Sequence, residues 1–194
     1  MRFRALAAAV AALLAGCGEG VDEAPRLPPA VRIGSGPAHR PPPLSPGVRS
    51  AAPAGRLRCT GNGRQRVGVH LEVFGDRRTV IVPAGIGVAP PWAGRAPYVR
   101  SGRCSYPLRT REPTGVIEIA PGARATLRDF FELWGQALTP RRVGAFRGRT
   151  QVWVDGRPWA HDPRAVPLRP HAQIVVSDEP RVPVHARYAF PPGL

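Results

Sequence analysis

The sequence predicts an α+β domain in which a small mixed sheet is packed by one short helix. Three observations carry this expectation. Val67, Val69, Leu71 and Val73 alternate with Gly68, His70, Glu72 and Phe74, the period of a strand. Leu127, Phe130, Phe131 and Trp134 recur at i, i+3, i+4 and i+7, the period of an amphipathic helix. Ile174, Val175 and Val176 form an apolar run suited to the middle of a sheet.

The elements follow in order from about Arg56. After the alternating run, Gly75-Asp76 marks a turn and residues 79–82 are a second β-branched run, so the two read as a hairpin. Residues 83–96 are a Gly/Pro loop around Trp92, residues 103–108 are extended, and residues 115–120 are a further strand. Thr126 is the expected N-cap of the helix, with Asp129 at N3 as in a capping box and Gly135 at the stop. A helix this short is marginal alone and must pack on a sheet, so its aromatic stripe is read as core. An arginine-rich loop leads to residues 151–154 and then Asp155-Gly156, a strong hairpin-turn signal. Residues 172–177 are the last strand. A β-grasp-like sheet is the preferred topology, with the domain over residues 56–180. The tail, residues 181–194, carries His185, Tyr188 and Phe190 between prolines and is expected to lie across the surface.

The N-terminus reads as an address. Arg2 and Arg4 precede an apolar run over residues 5–14, which ends in Leu14-Ala15-Gly16-Cys17 and is too short to span a bilayer. Residues 1–16 resemble a bacterial lipoprotein signal. That resemblance implies that Cys17 is lipidated and becomes the new N-terminus of an exported, membrane-anchored protein facing the periplasm or cell exterior. The remainder of residues 17–55 is rich in proline, without apolar periodicity, and reads as a tether.

Charge narrows the partner class. The net charge is +15 over 194 residues, and all 28 basic residues are Arg. With 25 Pro and 22 Gly, that pattern fits a genome rich in G and C, so charge alone is weak evidence. The partners it favours are another envelope protein or an anionic surface polymer. Nucleic acid is not expected, because the chain is read as exported and lacks a recognition-helix motif. The candidate surface is Arg100, Arg103, Arg109 and Arg111 together with Arg141, Arg142, Arg147 and Arg149. Cys59 and Cys104 remain once Cys17 is acylated, and an oxidising compartment favours a disulfide between them.

Catalytic patterns are sparse. There is no Gly-x-Ser-x-Gly elbow, and Cys59-Thr-Gly-Asn-Gly-Arg lacks the Lys-Ser/Thr ending of a phosphate loop. His39, His161, His171 and His185 are scattered among the tether, the turns and the tail. His70 and Glu72 share a strand face, so an alternative reading is a metal-binding protein or degenerate metalloenzyme using His70 and Glu72 with Glu112 or Glu118. The preferred reading is a non-catalytic binding or structural domain without a cofactor.

One resemblance spans roughly residues 69–178. Val69-His70-Leu71, Ile81-Val82-Pro83-Ala84-Gly85-Ile86-Gly87, Cys104-Ser105-Tyr106-Pro107-Leu108, Gly115-Val116-Ile117, Phe130-Phe131-Glu132-Leu133-Trp134-Gly135-Gln136 and Val152-Trp153-Val154-Asp155-Gly156 are similar to a family of uncharacterised exported bacterial proteins. In that family the segment after the Cys reads Tyr-Trp-Leu-His-Thr-His, followed by Gly-Ile-Ile-His, a set of imidazoles suited to a transition metal. Here the corresponding positions are Arg109, Arg111 and Glu118. Arginine stays protonated and does not ligate a metal, so the resemblance implies the fold and export but argues against a metal in this chain.

Overall fold

The alternating run becomes the strand Val67–Gly75, and the sheet is assembled around it. The computed structural model describes residues 38–41, 45–61, 63 and 66–194. Asp76 and Arg77, both at positive φ, turn the chain antiparallel into Arg78–Val80. The turn therefore falls one residue beyond the predicted Gly75-Asp76. The first half of the central strand pairs antiparallel with Val116–Ile119, placing Gly68 opposite Glu118 and His70 opposite Val116. Its other edge pairs in parallel with Gln173–Ser177, which in turn pairs antiparallel with Gln151–Val154. Two parallel strands at the centre, with the helix between the two antiparallel pairs, give a β-grasp-like order within an α+β fold.

One face of this sheet is the core. Val69, Leu71, Val73, Ile117, Ile119, Val152, Ile174 and Val176 form a single buried cluster with Leu127, Phe130, Phe131, Leu133 and Trp134 of the helix Leu127–Trp134. Each large side chain buried there contributes about 1.5–3 kcal/mol, which offsets the poor intrinsic stability of so short a helix. The helix ends at Gly135, whose φ of 73° suits glycine. At its start the Asp129 carboxylate accepts from the Thr126 N–H (2.8 Å), the Thr126 hydroxyl (3.0 Å) and Arg56 Nη2 (2.7 Å).

The domain begins before Arg56. Ala38–His39 adds a parallel edge beside Thr79 and Val80, and the short helix Pro46–Ser50 buries Val48 completely. The Tyr106 hydroxyl donates to Ala52 O. The described part of the segment read as tether thus packs on the domain, through contacts that its proline content does not forecast. Residues 1–37, including Cys17 and the signal-like segment, lie outside the described residues. Among those described, no helix is long and apolar enough to cross a membrane. The arginine-rich loop forms a small three-stranded sheet, Leu138–Thr139, Arg142–Val143 and Phe146–Arg147. A disulfide joins Cys59 to Cys104 across 45 residues, with the Cα atoms 5.6 Å apart.

Candidate functional site

Period-two geometry puts Gly68, His70, Glu72 and Phe74 on the face opposite the helix. Pairing brings Glu118, Gln173 and Ser177 onto the same face, and all of these side chains are buried. The cover is the C-terminal segment. It runs back along the central strand, with His185 Nδ1 2.9 Å from Glu72 Oε2, Tyr188 stacked on His70 at 3.7 Å, and Phe190 over Gly68. The His171 imidazole then meets Leu194 O at 3.0 Å. Prolines 180, 183, 191 and 192 carry no N–H, and among the described residues no backbone–backbone hydrogen bond joins this strap to the sheet.

Burial, the largest cause, pushes the His70 imidazole below its ordinary value, against the opposing influence of Glu72 and Thr114. The ring is therefore neutral at neutral pH. Thr114 O only accepts, so Nε2–H donates to it at 2.9 Å and Nδ1 is the acceptor. The Gln173 amide lies 2.7 Å from Nδ1, and its nitrogen is buried without a partner when its oxygen faces the ring. Turning the amide over pairs that nitrogen with Nδ1, the assignment the hydrogen bonding demands.

The second cluster on this face is cationic. Arg109 Nε donates to Glu118 Oε2 at 2.8 Å, and Arg111 Nε donates to Glu118 Oε1. Arg109 Nη1 reaches Ser105 Oγ at 3.3 Å. Arg66, just before the central strand, donates to Gly63 O, Tyr106 O and Pro107 O at 3.0–3.4 Å and has no carboxylate within ion-pair distance among the described residues. Burial, reinforced by Arg109, pushes its guanidinium down to about 10.

The proposed metal ligands do not converge. His70 and Glu72 are neighbours (3.7 Å), but Glu118 is held by two arginines, and Glu112 lies toward Arg111 and Tyr188. Among the described residues no group of three or more His, Cys, Asp or Glu side chains is arranged to hold a metal ion.

The arginines expected to form one surface divide into separate sets. Arg109 is a correction, because it is 5% exposed and paired with Glu118. Arg141, Arg142, Arg147 and Arg149 are exposed around the small sheet, where Phe146 meets Gly75 and Gly148 meets Asp178. That is the opposite end of the central strand from Gly68. Arg100 and Arg103 are exposed at the base of the loop whose tip, residues 91–98, is exposed throughout. Trp92 (40%) and Tyr98 (42%) flank Arg95 there. Backbone bonds between Ala93 and Ser101, and from Arg103 N to Ala89 O, close the loop over buried Ala84, Val88 and Val99.

A cleft of about 540 Å³ opens at the helix start, but its arginines are committed to acids: Arg56 to Asp129 (2.7 Å), Arg164 to Asp162 (2.6 Å) and Arg128 to Glu132 (3.6 Å). No protein-family description, no curated protein and no solved structure matches this chain. Sequence reasoning missed Arg66, Gln173, His185 and Tyr188 as site residues. The spacing of His185, Tyr188 and Phe190 was the one signal for the two tail residues, and a segment rich in proline provides no register for it.

Proposed function

We propose that this protein is a cell-envelope lipoprotein, anchored through acylated Cys17, whose α+β domain binds an anionic surface polymer without chemistry. The observation that carries the reading is the loop over residues 90–103. Trp92 and Tyr98 are exposed beside Arg95, Arg100 and Arg103, and these three arginines make no ion pair among the described residues. Unpaired guanidiniums attract a polyanion at long range, and exposed rings add contact area at short range. The Cys59–Cys104 bond ties the loop's return strand to the body of the domain, and such bonds persist in oxidising compartments.

Long-chain polyphosphate serves as the probe polyanion. Its binding to the full chain is expected to weaken steeply as salt rises from about 0.01 M to about 0.15 M. Replacing Trp92, Arg100 and Arg103 together by Ala is expected to cost at least about tenfold in affinity, a free energy of about 1.4 kcal/mol. Replacing Arg141 and Arg149 by Ala is expected to cost much less. Equal losses from the two variants would show a nonspecific charge effect and refute the loop as the binding element. Separately, Cys17→Ser is expected to move the protein from the membrane fraction to the soluble one.

A further inference from the structure

We propose that Arg66, Arg109 and Arg111 form a binding site for a single terminal phosphate, inorganic phosphate or a phosphate monoester. The site adjoins the loop over residues 90–103, where the Val99 N–H donates to Arg111 O at 2.9 Å, but it uses different side chains, and neither proposal depends on the other.

The cluster carries more positive than negative charge. Among the described residues the cluster holds three guanidiniums and one ion-paired carboxylate, Glu118, whose two oxygens go to Arg109 and Arg111 and leave Arg66 unpaired. Glu112 is the other acid felt by Arg111, yet it makes no ion pair with it among the described residues. Arg66 is 5% exposed, is held among the described residues by backbone carbonyls alone, and feels the charges of Arg109 and Arg111 together with that of Glu118, whose two oxygens those arginines already take. A buried cation without a counter-charge is costly, and a bound anion removes that cost.

The cluster also keeps unused donors. Arg66 and Arg109 each spend Nε and Nη1, so each keeps one Nη2 amino group without a partner among the described residues. Among the described residues Arg111 spends Nε alone. Arg66 and Arg109 grip the same short segment, through Ser105 on one hand and Tyr106 and Pro107 on the other. Their free groups therefore belong to one locale rather than to separate surfaces.

Access selects the ligand. The Arg111 side chain is 41% exposed, so the site has an open side, while Arg66 and Arg109 are nearly sealed. A terminal phosphate, carrying about −1.5 to −2 charge and three acceptor oxygens, reaches past Arg111 and satisfies several forks at once. A phosphodiester inside a polymer is blocked by its second substituent, and a carboxylate brings less charge and only two oxygens.

The test is calorimetric titration of the full chain with inorganic phosphate at constant ionic strength. Saturation at one phosphate per chain is expected, with glycerol 3-phosphate competing and dimethyl phosphate and acetate not competing. Arg111→Gln is expected to weaken binding by about tenfold or more while leaving the melting temperature without phosphate near the wild-type value. Arg66→Gln is expected to abolish binding; if that variant does not fold, Arg111→Gln decides the matter. Arg149→Gln is the control for general charge and is expected to bind as wild type does. Absence of saturation, equal binding by Arg111→Gln and wild type, or acetate binding as tightly as phosphate would overturn the proposal.

Discussion

At His70, one imidazole sits between a backbone carbonyl and a side-chain amide, with Glu72, His185 and the Tyr188 ring against it. Burial lowers its affinity for a proton below the ordinary value near 6.5, so the unfolded chain binds that proton more readily. The stability from the neutral ring is fully present above about pH 6.5 and is lost as pH falls from there toward the folded value. Glu112 and Asp178, both raised by burial, act in the opposite sense, since their folded forms hold protons more tightly and their contribution is lost as pH rises. The urea midpoint of the wild-type chain is therefore expected to fall between about pH 7.5 and about pH 5.5, and His70→Gln is expected to flatten that slope. An unchanged slope in the variant would assign the pH dependence to other groups.

The strap is the element whose hold on the fold is most easily tested. No backbone–backbone hydrogen bond ties it to the sheet among the described residues, and one of its contacts relies on an absent side chain. A Cβ at Gly68 would sit 2.5 Å from the Phe190 ring. Gly68→Val suits the strand conformation, because β-branched residues favour it, but it drives Phe190 off the sheet. Tryptic cleavage after Arg187 is expected to accelerate by about tenfold, as local opening becomes easier by about 1.4 kcal/mol. The helix and core strands are expected to keep their protection from hydrogen exchange. The helix is the contrasting element. Its Thr126–Asp129 start, Gly135 stop and apolar stripe all agree with its packing, so local and tertiary signals reinforce one another.

For the whole molecule, the Cys59–Cys104 bond joins the segment before the central strand to the segment that carries the exposed loop and the arginine cluster. Closing a loop of this length stabilises a fold by about 4 kcal/mol in the chain-entropy account. Replacing both cysteines by Ala is expected to lower unfolding stability by about that amount in urea, with the sheet retained. A loss below about 1 kcal/mol would mean that packing alone holds the two segments together.

Local pattern was enough for the helix, the strands Val67–Gly75, Val116–Ile119, Gln151–Val154 and Gln173–Ser177 and their α+β class, while the cysteine count pointed to the pairing of Cys59 with Cys104. Apolar period and turn chemistry act over a few residues and can be read directly from the chain. The candidate site was legible only in part. His70 and Glu72 follow from strand alternation, but their burial does not, because the strap that covers them is remote in sequence and its prolines supply no register. Arg109 and Arg111 read as surface charge until the pairing of Leu108–Arg109 with Val116–Ile119 set them against Glu118. Arg66 joined them only through carbonyls some forty residues away. Period-two alternation states which residues share a face; which elements cover that face, and which charges it encloses, were decided by long-range packing.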